Sequence, residues 1–306
     1  MKGWHSLGVT DQYGRRVVVT GANTGLGFQT CLALAGAGAE VIMAVRDLDR
    51  GQDAAGRIRD RVDEPRLRVL HLDLADLASV RDFAAEQAAT GPLDLLVNNA
   101  GLMQVPRRDL TRDGFESQMG VNHLGHFALT AWLLPALLRS PAGRVVSVTS
   151  IAARRARSLD HGLGLQGKYT PMGAYSQSKL AVALFAEELD RRLRAAGAPV
   201  ASVLAHPGWS ATAVHQPDDG PGVGVRFGRR ATAILGSSPQ AGARSQVFAA
   251  TAPQVHGGEL VGPRFLIRGT PHAAKLSAAM TDRAAAEWLW RESARLTGTE
   301  PLPVGR

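Results

Sequence analysis

A single cysteine, Cys31, stands in the 306 residues, so no internal disulfide can form and the stapled framework of a small secreted domain is excluded. Its place in an apolar face behind a glycine-rich turn reads as a small buried residue, and a reducing, cytoplasmic setting fits. No run of about 18 uninterrupted apolar residues occurs, so no membrane-spanning helix is expected. The N-terminal stretch, with Lys2, Trp4, His5 and Asp11, holds no apolar run suited to a secretory signal. A soluble protein is expected, with peripheral membrane contact left open. The net charge of +8 comes from scattered arginines without a dense Lys/Arg block, which argues against a nucleic-acid surface and suits a phosphorylated ligand. Cys/His clusters at metal-ligand spacing are missing, and His123, His126 and His206 do not group, so no metal is expected. Gly-x-Ser-x-Gly is absent around Ser150, which removes the usual serine hydrolase. No repeat, low-complexity tract or interdomain linker divides the chain, and one domain covering 1–306, with its core at about 14–298, is expected.

What is present begins with Arg16-Val-Val-Val-Thr-Gly-Ala-Asn-Thr-Gly-Leu26 and Gly27. The β-branched run reads as a buried strand, the glycines at 21, 25 and 27 as a tight turn, and the apolar pattern from Phe28 as a helix. Backbone N–H groups and a helix N-terminus there can close on a diphosphate; a glycine-rich connector is the other reading. A second strand, Glu40 to Val45, ends in Arg46-Asp47. Arg46 lies 19 residues beyond Gly27 (46 − 27), where an acid would accept the ribose hydroxyls and an arginine would hold a 2′-phosphate. NADP(H) is therefore favoured over NAD(H), with Asp47 one residue away keeping the other option open.

Strand signals follow at Leu67–Leu72, Leu93–Val97, Arg144–Ser150, Val200–Leu204 and within Gly258–Ile267, alternating with helical stretches. The alternation predicts an α/β fold, a doubly wound parallel sheet of about seven strands with helices on both faces. Asp73, just past its strand, has two readings: acceptor for an adenine amino group, or cap of the helix near Leu77. Asn98-Asn-Ala-Gly101 at a strand end is a structural turn or part of the ligand edge. Gly114 to Leu138 carries Phe115, Met119, Leu124, Phe127, Leu134, Leu137 and Leu138 near one helical stripe, with Asn122 inside it as a poor helix former. Ser150 stands at the tip of the fifth strand. Tyr175 and Lys179, at i and i+4, share one helix face, so an ammonium one turn away, with the nicotinamide's positive charge in the oxidised complex, is expected to bring Tyr175 towards its working range. Residues 213–238, rich in Gly and Pro, suggest a lid over a substrate, and Thr281 to Leu296 a closing helix.

In order and spacing these motifs resemble the classical short-chain dehydrogenases/reductases, over about Gly14 to Gly298. Val45-Arg46-Asp47, Val121-Asn122-His123-Leu124-Gly125-His126-Phe127 and Trp290-Arg-Glu-Ser-Ala-Arg-Leu-Thr-Gly298 are similar to the branch of retinol dehydrogenases and WW-domain oxidoreductases. The resemblance implies a Rossmann-like fold and an NAD(P)-dependent oxidoreductase acting on a small alcohol or carbonyl. It implies Asn122, Ser150, Tyr175 and Lys179 as the catalytic group, with Asn122 disturbing its helix and holding a water in a proton relay. It further implies cofactor contacts at Gly21, Asn23, Thr24, Gly25, Leu26, Gly27, Arg46, Asp73, Leu74, Asn99, Ala100, Gly101, Tyr175, Lys179, Pro207, Gly208 and Thr212, and either a homo-oligomer paired through the helices bearing Asn122 and Tyr175 or, as for some of this branch, a monomer. A catalytically vestigial nucleotide sensor on the same fold is the alternative, disfavoured because a binder has no need of all four catalytic residues.

Overall fold

A computed structural model describes residues 9–164, 168–208, 238–267 and 269–302. Seven strands lie parallel: Arg16–Thr20 (β1), Glu40–Val45 (β2), Leu67–His71 (β3), Leu95–Asn98 (β4), Gly143–Val148 (β5), Val200–Ala205 (β6) and Leu260–Pro263 (β7). Their order across the sheet is β3-β2-β1-β4-β5-β6-β7, so the chain reverses direction of travel between β1 and β4. An open sheet presents its ligand crevice at that switch point, outside the carboxyl ends of the strands. An eighth strand, Pro271–Ala274 (β8), pairs antiparallel with β7 and closes the edge. It is short and contains Pro271, which explains why no alternating pattern announces it.

β1 is buried at every position, as a parallel strand covered on both faces must be. Val17 and Val19 point to one side, where Gly25–Gly36 (α1), Leu48–Arg59 (α2) and Pro239–Thr251 (α6) pack. Val18 points to the other, towards Leu77–Thr90 (α3), a composite helix α4, Pro171–Ala195 (α5) and Arg283–Thr297 (α7). α4 runs as Ser117–Met119, a π turn Gly120–Leu124 and Gly125–Leu137. Its last segment is buried at eleven of thirteen positions and not along one stripe, because sheet and neighbouring helices enclose it.

Local chemistry fixes the ends. Asp47 caps α2 by accepting from Arg50 N at 3.0 Å, Thr170 caps α5 ahead of Pro171, and Gly298 ends α7 at φ +65°. The stretch between Ser150 and Tyr175 is anchored as well as exposed. Leu159 and Leu163 join a third apolar cluster with Met119 and Leu180, and the His161 ring stacks on Trp288 at 4.1 Å. The expected lid, 213–238, lies outside the described residues except for Ser238, which caps α6.

Candidate active site

The turn after β1 is shaped by close approach. Gly21 has φ +64°, and a Cβ on Gly27 would stand 2.3 Å from Gly21 O and 2.6 Å from Asn99 Nδ2. Thr24 precedes α1 without a side-chain cap, so the first N–H groups of that helix keep their capacity for an anion. Asn99 braces the turn, donating from Nδ2 to Thr20 O at 2.7 Å and accepting at Oδ1 from Gln246 Nε2 at 3.1 Å. Gly21, Asn23, Thr24, Gly25, Leu26 and Gly27 thus form an open cradle facing Asn99, Ala100 and Gly101, a shape that fits a dinucleotide diphosphate.

Around this cradle the strand ends are sorted by their hydrogen bonds. Arg46 is exposed just beyond β2, whereas Asp47 is committed to its helix cap. Asp73 accepts from Ala75 N at 2.9 Å in a turn of its own, and Asp76 caps α3 by accepting from Ala78 N at 3.0 Å. The reading of Asp73 as the cap is therefore wrong: the acid three residues on does that work. Leu74 is buried beside Gly125. Past β6, Gly208 has φ +73° and donates its N–H to His206 Nδ1 at 3.2 Å, which shapes the Pro207-Gly208 turn at the same edge. Thr212 lies outside the described residues.

Ser150 follows β5 by two residues. It stands at the head of the short 3-10 turn Ile151–Arg155, not within the strand, and its Oγ accepts from Ala152 N at 3.2 Å. Tyr175, in the first turns of α5, shares a hydrogen bond with the Ser150 hydroxyl. One turn on, Lys179 is buried and donates from Nζ to Val148 O at 2.9 Å, while Thr149 Oγ1 donates to Lys179 O at 2.8 Å. Gly101 makes room for this side chain: a Cβ there would lie 3.0 Å from Asn122 Oδ1 and 3.3 Å from Lys179 Nζ. The four residues expected together are together.

Without the cofactor, burial dominates their protonation. Burial pushes the Tyr175 phenol above its ordinary value, more than the Ser150 hydrogen bond lowers it. The Lys179 ammonium stands 6.0 Å from the centre of the Tyr175 ring, and burial lowers its own pKa to about 8. The Asn122 amide makes three hydrogen bonds. Oδ1 accepts from Leu102 N at 2.7 Å, and Nδ2 donates to Leu102 O at 3.0 Å and to Ser178 Oγ at 2.8 Å. It clamps the 101–102 turn to α5, and the π turn aims it there.

Three residues at the site escaped the sequence reading: Thr20, whose Oγ1 accepts from Asn99 N and Ala100 N, both at 2.9 Å; Gln246, which reaches Asn99 from α6; and His126. A buried histidine one turn past Asn122 in the quoted motif was the available signal for His126. Among the described residues, a cavity of about 460 Å³ under the 151–170 stretch is lined by Arg155, Asp160, Tyr169, Met172 and Gln177. It flanks Tyr175 without including Ser150, Tyr175 or Lys179, so it is separate from this constellation.

Comparison with known proteins places this arrangement. The family model "short chain dehydrogenase" matches residues 15–219. Polyprenol dehydrogenase of Mus musculus is 45% identical over 295 residues, 94% of this chain and 85% of its own. Retinol dehydrogenase 13 of Homo sapiens is 39% identical over 300 residues, 95% and 87% of the two chains. A crystal structure of an uncharacterized protein from Mycobacterium Paratuberculosis superposes with a TM-score of 0.79 at 41% identity, covering 96% of this chain and 97% of the other.

Proposed function

This chain belongs to the short-chain dehydrogenases, in the retinol dehydrogenase-like branch, and is an NAD(P)-dependent oxidoreductase of alcohol and carbonyl groups; we propose the following residue roles and preferences for it. A nicotinamide dinucleotide, when bound, supplies or accepts the hydride. Ser150 Oγ and Tyr175 Oη hold the substrate oxygen, their shared hydrogen bond fixing where that oxygen sits. In reduction Tyr175 gives its phenolic proton to the oxygen as negative charge develops there; in oxidation it takes that proton away. Lys179 binds the cofactor ribose and, with a water near Asn122, returns the proton from solvent. Pro207, Gly208 and Thr212 frame the nicotinamide end. The whole of 1–306 acts as one unit, with 213–238 as its substrate lid.

NADP(H) is the preferred cofactor. The support is the division of labour after β2: Asp47, one residue on, has its carboxylate turned into the α2 cap, and Arg46 is left exposed at the strand end. An apolar alcohol or its carbonyl counterpart is the substrate class, in keeping with the names of the polyprenol and retinol dehydrogenases it resembles. The buried thiol of Cys31 suits a cytoplasmic setting. Among the described residues no helix is long and apolar enough to cross a membrane.

The observation that carries the catalytic reading is the meeting of Ser150, Tyr175 and Lys179 at the carboxyl edge of the sheet. Its test is oxidation of NADPH against a panel of apolar aldehydes and ketones, parent against Tyr175→Phe. Loss of the general acid is expected to lower kcat by roughly 10²- to 10⁴-fold, with NADPH binding unchanged. Equal rates would sink this mechanism, and binding without turnover in the parent would favour the nucleotide sensor.

A further inference from the structure

His126 lies in α4 one turn past Asn122, buried, and no role has so far been given to it. Its Nδ1 is 3.0 Å from the Asn122 main-chain oxygen and its Nε2 is 2.9 Å from Thr20 Oγ1. We infer that His126 is a positioning residue, a single-tautomer bridge that couples the Thr20–Asn99–Ala100 side of the dinucleotide cradle to the π turn carrying Asn122.

The tautomer follows from counting donors. A carbonyl only accepts, so the Asn122 contact requires the proton on Nδ1. Nε2 then carries a lone pair, and the Thr20 hydroxyl, with Val97 O farther off at 3.3 Å, donates to it. Having given its proton, Thr20 Oγ1 keeps two lone pairs, and two N–H groups, Asn99 and Ala100, occupy them at 2.9 Å each. The set closes with each donor matched. Moving the proton to Nε2 would set three donors on two lone pairs at Thr20 and face a lone pair towards the Asn122 carbonyl, leaving buried polar groups unpaired. A doubly protonated ring meets the same crowding at Thr20. It is also opposed by its own burial and by the Lys179 ammonium from α5, while His123 on the same helix stays neutral.

Each end of the bridge touches a working part. Thr20 sets the Asn99-Ala100 turn, and Asn99 in turn braces the glycine turn. Asn122 holds Leu102 and, through Ser178, the helix bearing Tyr175 and Lys179. A displacement on either side therefore passes through one ring.

Two substitutions separate the ends. Glutamine places a polar atom near the Nε2 position and asparagine near the Nδ1 position. With His126→Gln, NADPH and NADH dissociation constants, read by fluorescence titration, are expected to stay within about twofold while kcat falls roughly tenfold; with His126→Asn the pattern reverses. In the parent chain, long-range ¹⁵N–¹H spectra of the His126 ring are expected to show the neutral Nδ1–H form at pH 7. An Nε2–H form overturns the inference. So do variants whose affinity for the cofactors and kcat fall together in proportion to their loss of melting temperature. The kinetic arm rests on the catalytic reading above, but the spectra and titrations need no turnover. Full activity in Tyr175→Phe would sink that reading and leave those two arms standing.

Discussion

At Gly27 one hydrogen atom separates a working cradle from a blocked one. The atom that an added Cβ would meet at 2.3 Å is a backbone oxygen, which cannot turn aside as a long side chain would. Gly27→Ala is therefore expected to raise the NADPH dissociation constant at least tenfold, since the turn must open by about an ångström and backbone N–H contacts to an anion depend on close approach. Gly56→Ala is its counterpart: Gly56 lies inside α2 with nothing within 4 Å of its Cβ position. That change is expected to stabilise the protein by about 0.5–1 kcal/mol in urea unfolding and to leave binding alone. The same contrast applies after β2. Arg46→Ala is expected to reduce the NADPH-over-NADH preference roughly tenfold in kcat/KM, the worth of a lost bidentate phosphate contact. Asp47→Ala removes the cap bond to Arg50 N and costs about 1 kcal/mol of stability with the preference kept. A preference that follows Asp47 and ignores Arg46 would reverse the cofactor assignment.

The element that organises the site is α4 with its π turn. A regular helix over the same residues would rotate Asn122 away from Leu102, and the three hydrogen bonds of its amide could not all form. Asn122→Ala is expected to cost about 2–4 kcal/mol in urea unfolding, because the buried Leu102 N–H and Ser178 hydroxyl lose partners; Ser178→Ala, which removes the bond from Asn122 Nδ2 and the bond to Tyr175 O, is expected to cost about 1–2 kcal/mol. Both should lower kcat, Asn122→Ala more. The parallel strands, their order of appearance, the glycine turn and the Tyr175–Lys179 helix were legible in the sequence, since each rests on local pattern: β-branched runs, glycine spacing, an i,i+4 pair. What was not legible depends on packing across the chain. Nothing local in Pro271–Ala274 marks it as the antiparallel edge of β7. The all-round burial of Gly125–Leu137 is set by what surrounds it, not by its own periodicity. The choice of Asp76 over Asp73 as cap turned on which acid the chain brings to Ala78 N, and spacing to Leu77 left that open. Nor could spacing show that the Tyr175 phenol is buried enough to outweigh its Ser150 partner, or that the Lys179 ammonium donates to Val148 O.

Across the whole molecule, proton binding sets how the fold responds to acid. His123, His126 and His206 are buried and neutral, their pKa values brought down from 6.5 to about 3, about 4 and about 4, chiefly by burial. In the unfolded chain each takes up its proton near 6.5, so below that pH the unfolded state holds more protons and stability is lost as pH falls towards the folded values. At pH 5 the loss is about 2 kcal/mol for each, roughly 6 kcal/mol in all against a typical total of 5–15 kcal/mol. Glu187 works in the opposite direction: burial, with Asp190 next, raises it from 4.5 to about 7, so the folded state gains a proton first and stability rises as pH falls through 7. Its contribution at pH 5 is about 2–3 kcal/mol at most, less after allowance for its partial exposure. The histidines outnumber it, and the urea midpoint is expected to fall between pH 7.5 and pH 5. Glu187→Gln should steepen that fall, since the opposing contribution goes with the carboxyl. His123→Phe should shallow it by about a third, after correction for the lost Ser293 hydrogen bond at pH 7.5. Unfolding curves of the three proteins at matched pH decide it: a midpoint flat from pH 7.5 to 5 in the parent would mean that the histidines take up protons without leaving the fold, which their burial among β1, α4, α5 and β6 forbids.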